Sequence, residues 1–266
     1  MKKLLKRILK ITFLTFITAV LTIAGIILFP QCLFADKMEY KNITVYSNDK
    51  IPGDIQTVLD NAINLLKQSE IYDSNFKYNI ILSYNSFYNE IDDKLLGAGP
   101  AARTTLKNVI IKVKIDAKNN LAFITFHKAC ETNLTELIAH EMTHCLQANK
   151  YGILKFNPFK YPALWKLEGY PEYIAKRKEL SSKDHSLSGD IDRYINLEKK
   201  ANDIWILSED CGCEVPNYYY KGRLMTEYLI DIKHLSYDKI LKDTISENAV
   251  FQEMIKWKGT PNKIEH

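Results

Sequence analysis

The pentapeptide His140-Glu141-Met142-Thr143-His144 constrains this chain more than any other stretch. On an α-helix, residues i and i+4 share a face about one turn apart, so the two imidazoles can meet at one ion. Glu141 is rotated beside that face. Its carboxylate cannot easily be a third ligand there, but it can reach a water at the ion and take its proton. The chain has six histidines in 266 residues, and a chance H-E-x-x-H in such a composition is expected roughly 0.01 times. The surroundings read as a helix over 133–150. Asn133 can cap it, Glu136 three residues later suits a reciprocal capping arrangement, and Gly152 suits its C-terminal stop. Leu134, Leu137, Ile138, Met142, Cys145 and Leu146 are its packing residues, apolar around much of the circumference, so the helix is expected to be buried. Two imidazoles and a carboxylate at depth are costly unless something binds them.

Catalytic zinc takes three protein ligands and a water, and two His with one Glu is a standard set. Glu168 supplies the missing carboxylate, within Leu164-Trp165-Lys166-Leu167-Glu168-Gly169-Tyr170-Pro171-Glu172-Tyr173. With it the chain resembles the gluzincins, which include the thermolysin-like peptidases and the zinc aminopeptidases. In that family H-E-x-x-H is followed by a second helix carrying W-x-x-E-G, and Trp165 to Gly169 matches it. The resemblance implies that His140, His144 and Glu168 bind Zn2+, that Glu141 is the general base, and that the substrate is a peptide or protein. It also implies that Glu172, one turn beyond Glu168, orients a ligating histidine, at a place where the family often has Asp or Ser. An oxyanion donor is expected from the region after the glutamate ligand, and Tyr219 or Tyr220, in the run Tyr218-Tyr219-Tyr220, suits that role. By the same resemblance an edge strand borders the active site, with 121–126 or 109–115 in that position. The aminopeptidase motif G-x-M-E-N is absent, which leans toward an endopeptidase or an unusual substrate. Two other readings share the motif. A zinc amidase acting on cell-wall material would use similar metal chemistry. A zincin-fold binding or assembly protein without turnover would be expected to lose Glu141 before the ligands, and this chain retains it.

Residues 1–10 carry Lys2, Lys3, Lys6, Arg7 and Lys10 without an acid, and 11–29 is an uncharged, mostly apolar run. Such a run is long enough to span a bilayer, and the basic flank places the N-terminus in the cytoplasm, so a single-pass anchor with an extracytoplasmic domain is expected. A cleaved signal peptide is the competing reading, with Leu33-Phe34-Ala35 as the cleavage site. Gln31 before Cys32 is not the small residue that lipoprotein processing would want. The net charge is +4, and the five positive charges of the tail leave −1 for the remainder. Nothing then argues for a nucleic-acid-binding face.

The chain in order predicts strands over 41–47, 76–84, 109–115 and 121–126, with an amphipathic helix over 54–68. These make a small mixed N-terminal sheet with an early helix. A loop with Pro158 and Pro162 follows, then the second ligand helix over 165–180, started near Leu167 or Glu168 so that Pro171 falls in the first turn. Further helices are expected over 191–207, from Tyr218 onward and over 239–257. The fold class is therefore α+β and zincin-like, a small mixed sheet followed by a mainly helical C-terminal lobe with the active-site cleft between. The expected divisions are a basic tail 1–10, an anchor 11–29, a linker 30–41, an α/β lobe 42–152 and a helical lobe 153–266. His127 and His185 read as surface or loop histidines. Cys211 and Cys213 form a lone C-x-C pair, for which a disulfide is allowed outside the cytoplasm. Cys130 is one candidate partner and the connectivity stays open, with at least one of the five cysteines unpaired.

Overall fold

A computed structural model of the chain describes residues 2–125, 129–152, 156, 162–201, 205–207 and 213–259. A long helix α1 (Lys2–Leu28) and a 3-10 turn (Pro30–Leu33) lead to strands β1 (Asp36–Tyr40) and β2 (Ile43–Ser47). Next come α2 (Ile55–Leu66), β3 (Tyr78–Leu82), α3 (Phe87–Leu96), β4 (Ala102–Thr105), β5 (Asn108–Ile111), β6 (Lys114–Asp116), β7 (Leu121–Ile124) and β8 (Cys130–Asn133). The remainder is mainly helical: α4 (Leu134–Tyr151), α5 (Leu164–Ala175), α6 (Arg177–Leu180) and α7 (Leu187–Lys200). The paired strands β9 (Trp205–Leu207) and β10 (Glu214–Pro216) precede α8 (Asn217–Glu227), which continues as a short π-helix (Tyr228–Ile232). Two short helices close the described chain, α9 (Tyr237–Lys242) and α10 (Glu247–Lys258). The architecture is mixed α+β, in two units: Met1–Ile51 with Lys77–Lys112, and Pro52–Phe76 with Val113–His266.

The first unit holds a five-stranded sheet in the order β1-β2-β3-β5-β4, parallel in its centre and antiparallel at both edges. All four residues of β5 are buried, as central parallel strands covered on both faces tend to be. The expected strand 109–115 is therefore two strands. The chain bends at Val113, between the end of β5 in this sheet at Ile111 and the start of β6 of another at Lys114. Just before the bend, the Lys112 ammonium is buried against Asp92, 2.7 Å away, and also pairs with Asp93. The four expected strands thus do not share one sheet, because β7 pairs with β6 and β8 instead.

Helix α1 is long and apolar enough, from Lys3 to Leu28, to cross a membrane or to serve as a signal sequence. Three of its threonine hydroxyls are satisfied internally: Thr15, Thr18 and Thr22 donate to the carbonyls four residues back at 2.9–3.0 Å. The segment 30–41, expected as a linker, is built into the unit. Asn108 Nδ2 donates to the Leu28 carbonyl at 3.1 Å, satisfying one of the acceptors that a helix C-terminus leaves open. Phe34 is buried with Ile81, Tyr88 and Ile110, and Ile26 and Tyr46 pack against that cluster. Cleavage within Leu33-Phe34-Ala35 would cut through this core. Phe34→Ala is expected to cost about 3 kcal/mol, the low end for a buried phenylalanine, seen as a melting temperature several degrees lower for the full chain in detergent.

In the second unit β6-β7-β8 is an antiparallel sheet, and β8 runs directly into α4. The junction is pinned by two asparagines. Asn133 Oδ1 accepts the Glu136 amide at 3.2 Å as the N-cap, and Asn120 Oδ1 accepts the Thr135 amide and hydroxyl at 2.9 and 2.8 Å. The Glu136 carboxylate, expected to reach back in a capping box, pairs with Lys176 Nζ at 2.7 Å. Neither 121–126 nor 109–115 supplies the expected edge strand as read: β7 is central in its sheet, and β5 lies between β3 and β4. The edges here are β6, which takes only the end of 109–115, and β8. Cys130 at the start of β8 is disulfide-bonded to Cys213 beside β10, while Cys211 lies outside the described residues.

Helix α4 packs on α2 and α5, and α5 packs closely on α8. That closeness is set by two glycines. A Cβ added at Gly169 would meet the Gly222 carbonyl oxygen at 2.4 Å, and one at Gly222 would lie 3.0 Å from the Trp165 carbonyl oxygen. Helix α5 begins at Leu164, earlier than expected, so Pro171 sits in its interior. A proline there removes the bond to the carbonyl four residues back, that of Leu167. This carbonyl is taken instead by Gln147 Nε2 from α4, at 3.1 Å, which offsets the lost helical bond.

Candidate metal centre

Helices α4 and α5 bring three donor groups together. The ring nitrogen Nε2 of His144 lies 3.2 Å from Nε2 of His140 and 3.2 Å from Glu168 Oε2, and His140 Nε2 lies 3.3 Å from the same oxygen. Such a group, with all its ligand atoms within 4.8 Å of one another, could hold a metal ion. The other ring nitrogens decide how well it fits one. His140 Nδ1 faces Glu172 Oε2 at 3.1 Å, and His144 Nδ1 faces Gln147 Oε1 at 2.7 Å. Both partners are acceptors, so each Nδ1 carries a proton, and in its neutral form each imidazole turns its Nε2 lone pair inward. Two lone pairs and a carboxylate oxygen converging at this distance repel unless a cation lies among them.

Protons respond to the same crowding. Burial acts to lower the pKa of His140, but its bonds to Glu168 and Glu172 outweigh burial and push it up to about 10. His144 is likewise raised, burial being overcome by the Glu168 charge. Glu168 is held well below the usual carboxylate range: burial opposes this, and the His144 and His140 imidazoles overcome it. Glu172 is lowered too, since its bond to His140 outweighs burial. A cation, whether metal or proton, is what these groups have in common.

Glu141 is buried on α4, and its charge acts on both imidazoles and on the Tyr219 hydroxyl. The Tyr219 ring stands edge-on to His140, centroids 5.6 Å apart. Burial and the nearby Glu168 charge raise its pKa well above the usual tyrosine value, so the hydroxyl keeps its proton. Tyr220, the other expected donor, meets different residues. Its ring lies 5.6 Å from Tyr194 and 4.9 Å under the Arg223 guanidinium, which is itself paired with Asp190 and Glu227. Three positions near the ligands were not read from the sequence. Tyr218 is hydrogen-bonded to Tyr219 and feels Glu168. Gln147 and Tyr237 are joined at 2.7 Å, with Tyr237 stacked on Tyr170 of the ligand helix. The polar Gln147 one turn beyond His144 on a buried helix was the available signal.

His185, expected to be solvated, is bonded to Glu227. His127 lies outside the described residues. No protein-family model matches the chain, and a search of curated proteins finds no match.

Proposed function

We propose that the chain is a zinc-dependent peptidase of the gluzincin type, with a zincin-like fold, and that it acts outside the cytoplasm from a membrane anchor. The observation that carries this reading is the convergence of His140 Nε2, His144 Nε2 and Glu168 Oε2 beside the buried Glu141. Those three groups would hold Zn2+, whose tetrahedral preference and taste for imidazole and carboxylate suit the set. When bound, zinc supplies Lewis acidity that polarises a carbonyl and makes a water nucleophilic near neutral pH.

The chain's own residues do the rest. The Glu141 carboxylate accepts the proton of the attacking water and later gives it to the leaving amine. The Tyr219 hydroxyl donates a hydrogen bond to the substrate carbonyl oxygen as negative charge develops there. Glu172 Oε2 accepts from His140 Nδ1 and keeps that ring turned toward the centre. The basic residues before α1 favour a cytoplasmic N-terminus, and the Cys130–Cys213 disulfide suits an oxidising compartment for the second unit.

Metal analysis by mass spectrometry, on the full chain in detergent, tests the reading. About one zinc per chain is expected for the wild type, and none for Glu168→Ala. A folded wild type without zinc would remove the basis for peptidase chemistry.

A further inference from the structure

We propose that Gln147 is a positioning residue that sets the tautomer of His144, and that Pro171 is the reason it can. The proposal rests on the metal-site reading above. Gln147 is fully buried on α4, one turn beyond His144, and both ends of its amide are hydrogen-bonded. Its Oε1 faces His144 Nδ1 at 2.7 Å, while its Nε2 donates to the Leu167 carbonyl at 3.1 Å and to the Tyr237 hydroxyl at 2.7 Å.

A glutamine amide can turn over, exchanging its oxygen for its nitrogen, unless a partner distinguishes them. The Leu167 carbonyl does so, because it can only accept. In an unbroken helix that oxygen would be occupied by the amide of residue 171, but Pro171 has none. The carbonyl is thereby left facing α4 with a vacancy, and Gln147 fills it with Nε2. The Tyr237 hydroxyl gives the second constraint. It donates to the Lys166 carbonyl at 3.0 Å, so toward Gln147 it accepts. Two acceptors on one side turn the glutamine oxygen to the other, where only a donor fits. A neutral His144 must then carry its proton on Nδ1, which leaves Nε2 bare toward His140 and Glu168.

The two histidines are thus held by different devices. His140 has a carboxylate, Glu172, which accepts whatever its orientation. His144 has a neutral amide, whose direction has to be fixed by other groups. The α5 helix that carries Glu168 also carries the proline and the carbonyl that fix it, so one element supplies a ligand and orients another.

The test uses the full chain in detergent, with histidine labelled at the ring nitrogens. In the wild type the His144 Nδ1 proton is expected as a protected, hydrogen-bonded resonance, with or without zinc. Gln147→Leu is expected to abolish that protection and weaken zinc binding about 10–100-fold, measured by competition with a chromophoric chelator. Gln147→Glu, which keeps an acceptor toward His144 Nδ1 while giving up the amide donor to the Leu167 carbonyl and the Tyr237 hydroxyl, is expected to retain the protected proton at some cost in stability and to lie closer to the wild type than Gln147→Leu in zinc affinity. Unchanged protection and affinity in Gln147→Leu would overturn the proposal. If that variant does not fold, the Glu variant decides: retention of the protected proton supports the proposal, and its loss overturns it. A wild type that binds no zinc yet shows the protected Nδ1 proton would count against the metal reading while leaving the Gln147 contact in place.

Discussion

Glu141→Gln is expected to keep its zinc and lose its turnover, with kcat down about 10²–10⁴-fold, the usual contribution of a positioned acid–base group. The substitution is nearly isosteric, and the amide cannot accept a proton from water. Because Glu141 is buried, replacing a charge by a neutral amide imposes no new desolvation cost on the folded state. Stability should hold or rise. The measurement pairs metal content with hydrolysis of a mixture of quenched fluorescent peptides, so that no particular sequence preference is assumed. A glutamine variant hydrolysing as fast as the wild type would show that Glu141 is not the base. A variant that loses metal as well would mean that the carboxylate helps hold the ion rather than serving the water.

The second large effect is expected at Gly169. An alanine there would place its Cβ 2.4 Å from the Gly222 carbonyl oxygen, 2.6 Å from the Gly222 carbonyl carbon and 2.8 Å from Thr226 Oγ1. Two of those atoms are backbone, so no side-chain rotation relieves the clash and α5 must move off α8. Overpacked sites commonly cost about 1–3 kcal/mol, and a backbone-limited one belongs at or above the top of that range. Since Glu168 is the preceding residue on α5, the shift should also weaken zinc binding by more than tenfold. Gly222→Ala, whose nearest neighbours are at 3.0 and 3.1 Å, should do the same more mildly. Thermal melts and zinc competition on both variants check the order. Equal melting temperatures for Gly169→Ala and the wild type would contradict the close crossing of the two helices.

Local chemistry made α4 readable. Its cap, its ligand spacing and its glycine stop all lie within one continuous stretch, and the structure has the helix from Leu134 to Tyr151. What was misread depended on residues far away in sequence. Pro171 argued for a late helix start because local rules treat an interior proline as a break. The compensating donor, Gln147, comes from another helix. The strand over 109–115 looked continuous because its apolar residues gave no sign of the bend at Val113 that moves the chain between sheets. Tyr219 and Tyr220 were indistinguishable for a geometric reason. Adjacent helical residues point about 100° apart, so only one can meet His140, and the rotation of α8 is set by its packing on α5. The Glu136 carboxylate, free to cap in an isolated helix, is claimed by Lys176 from the end of the second ligand helix.

Backbones in contact cannot be displaced independently, and at Gly169 and Gly222 the helix bearing Glu168 touches the helix bearing Tyr219. Under the proposed function, occupancy of the two places is expected to be linked. A molecule that pulls on Tyr219 works on the position of Glu168, and an ion that fixes Glu168 narrows the range of positions open to Tyr219. By thermodynamic reciprocity the two effects are equal: the factor by which such a molecule tightens or loosens metal binding is the factor by which the metal tightens or loosens the molecule. Metal affinity measured with and without a bound peptide analogue would then report the stiffness of a single glycine-to-glycine crossing.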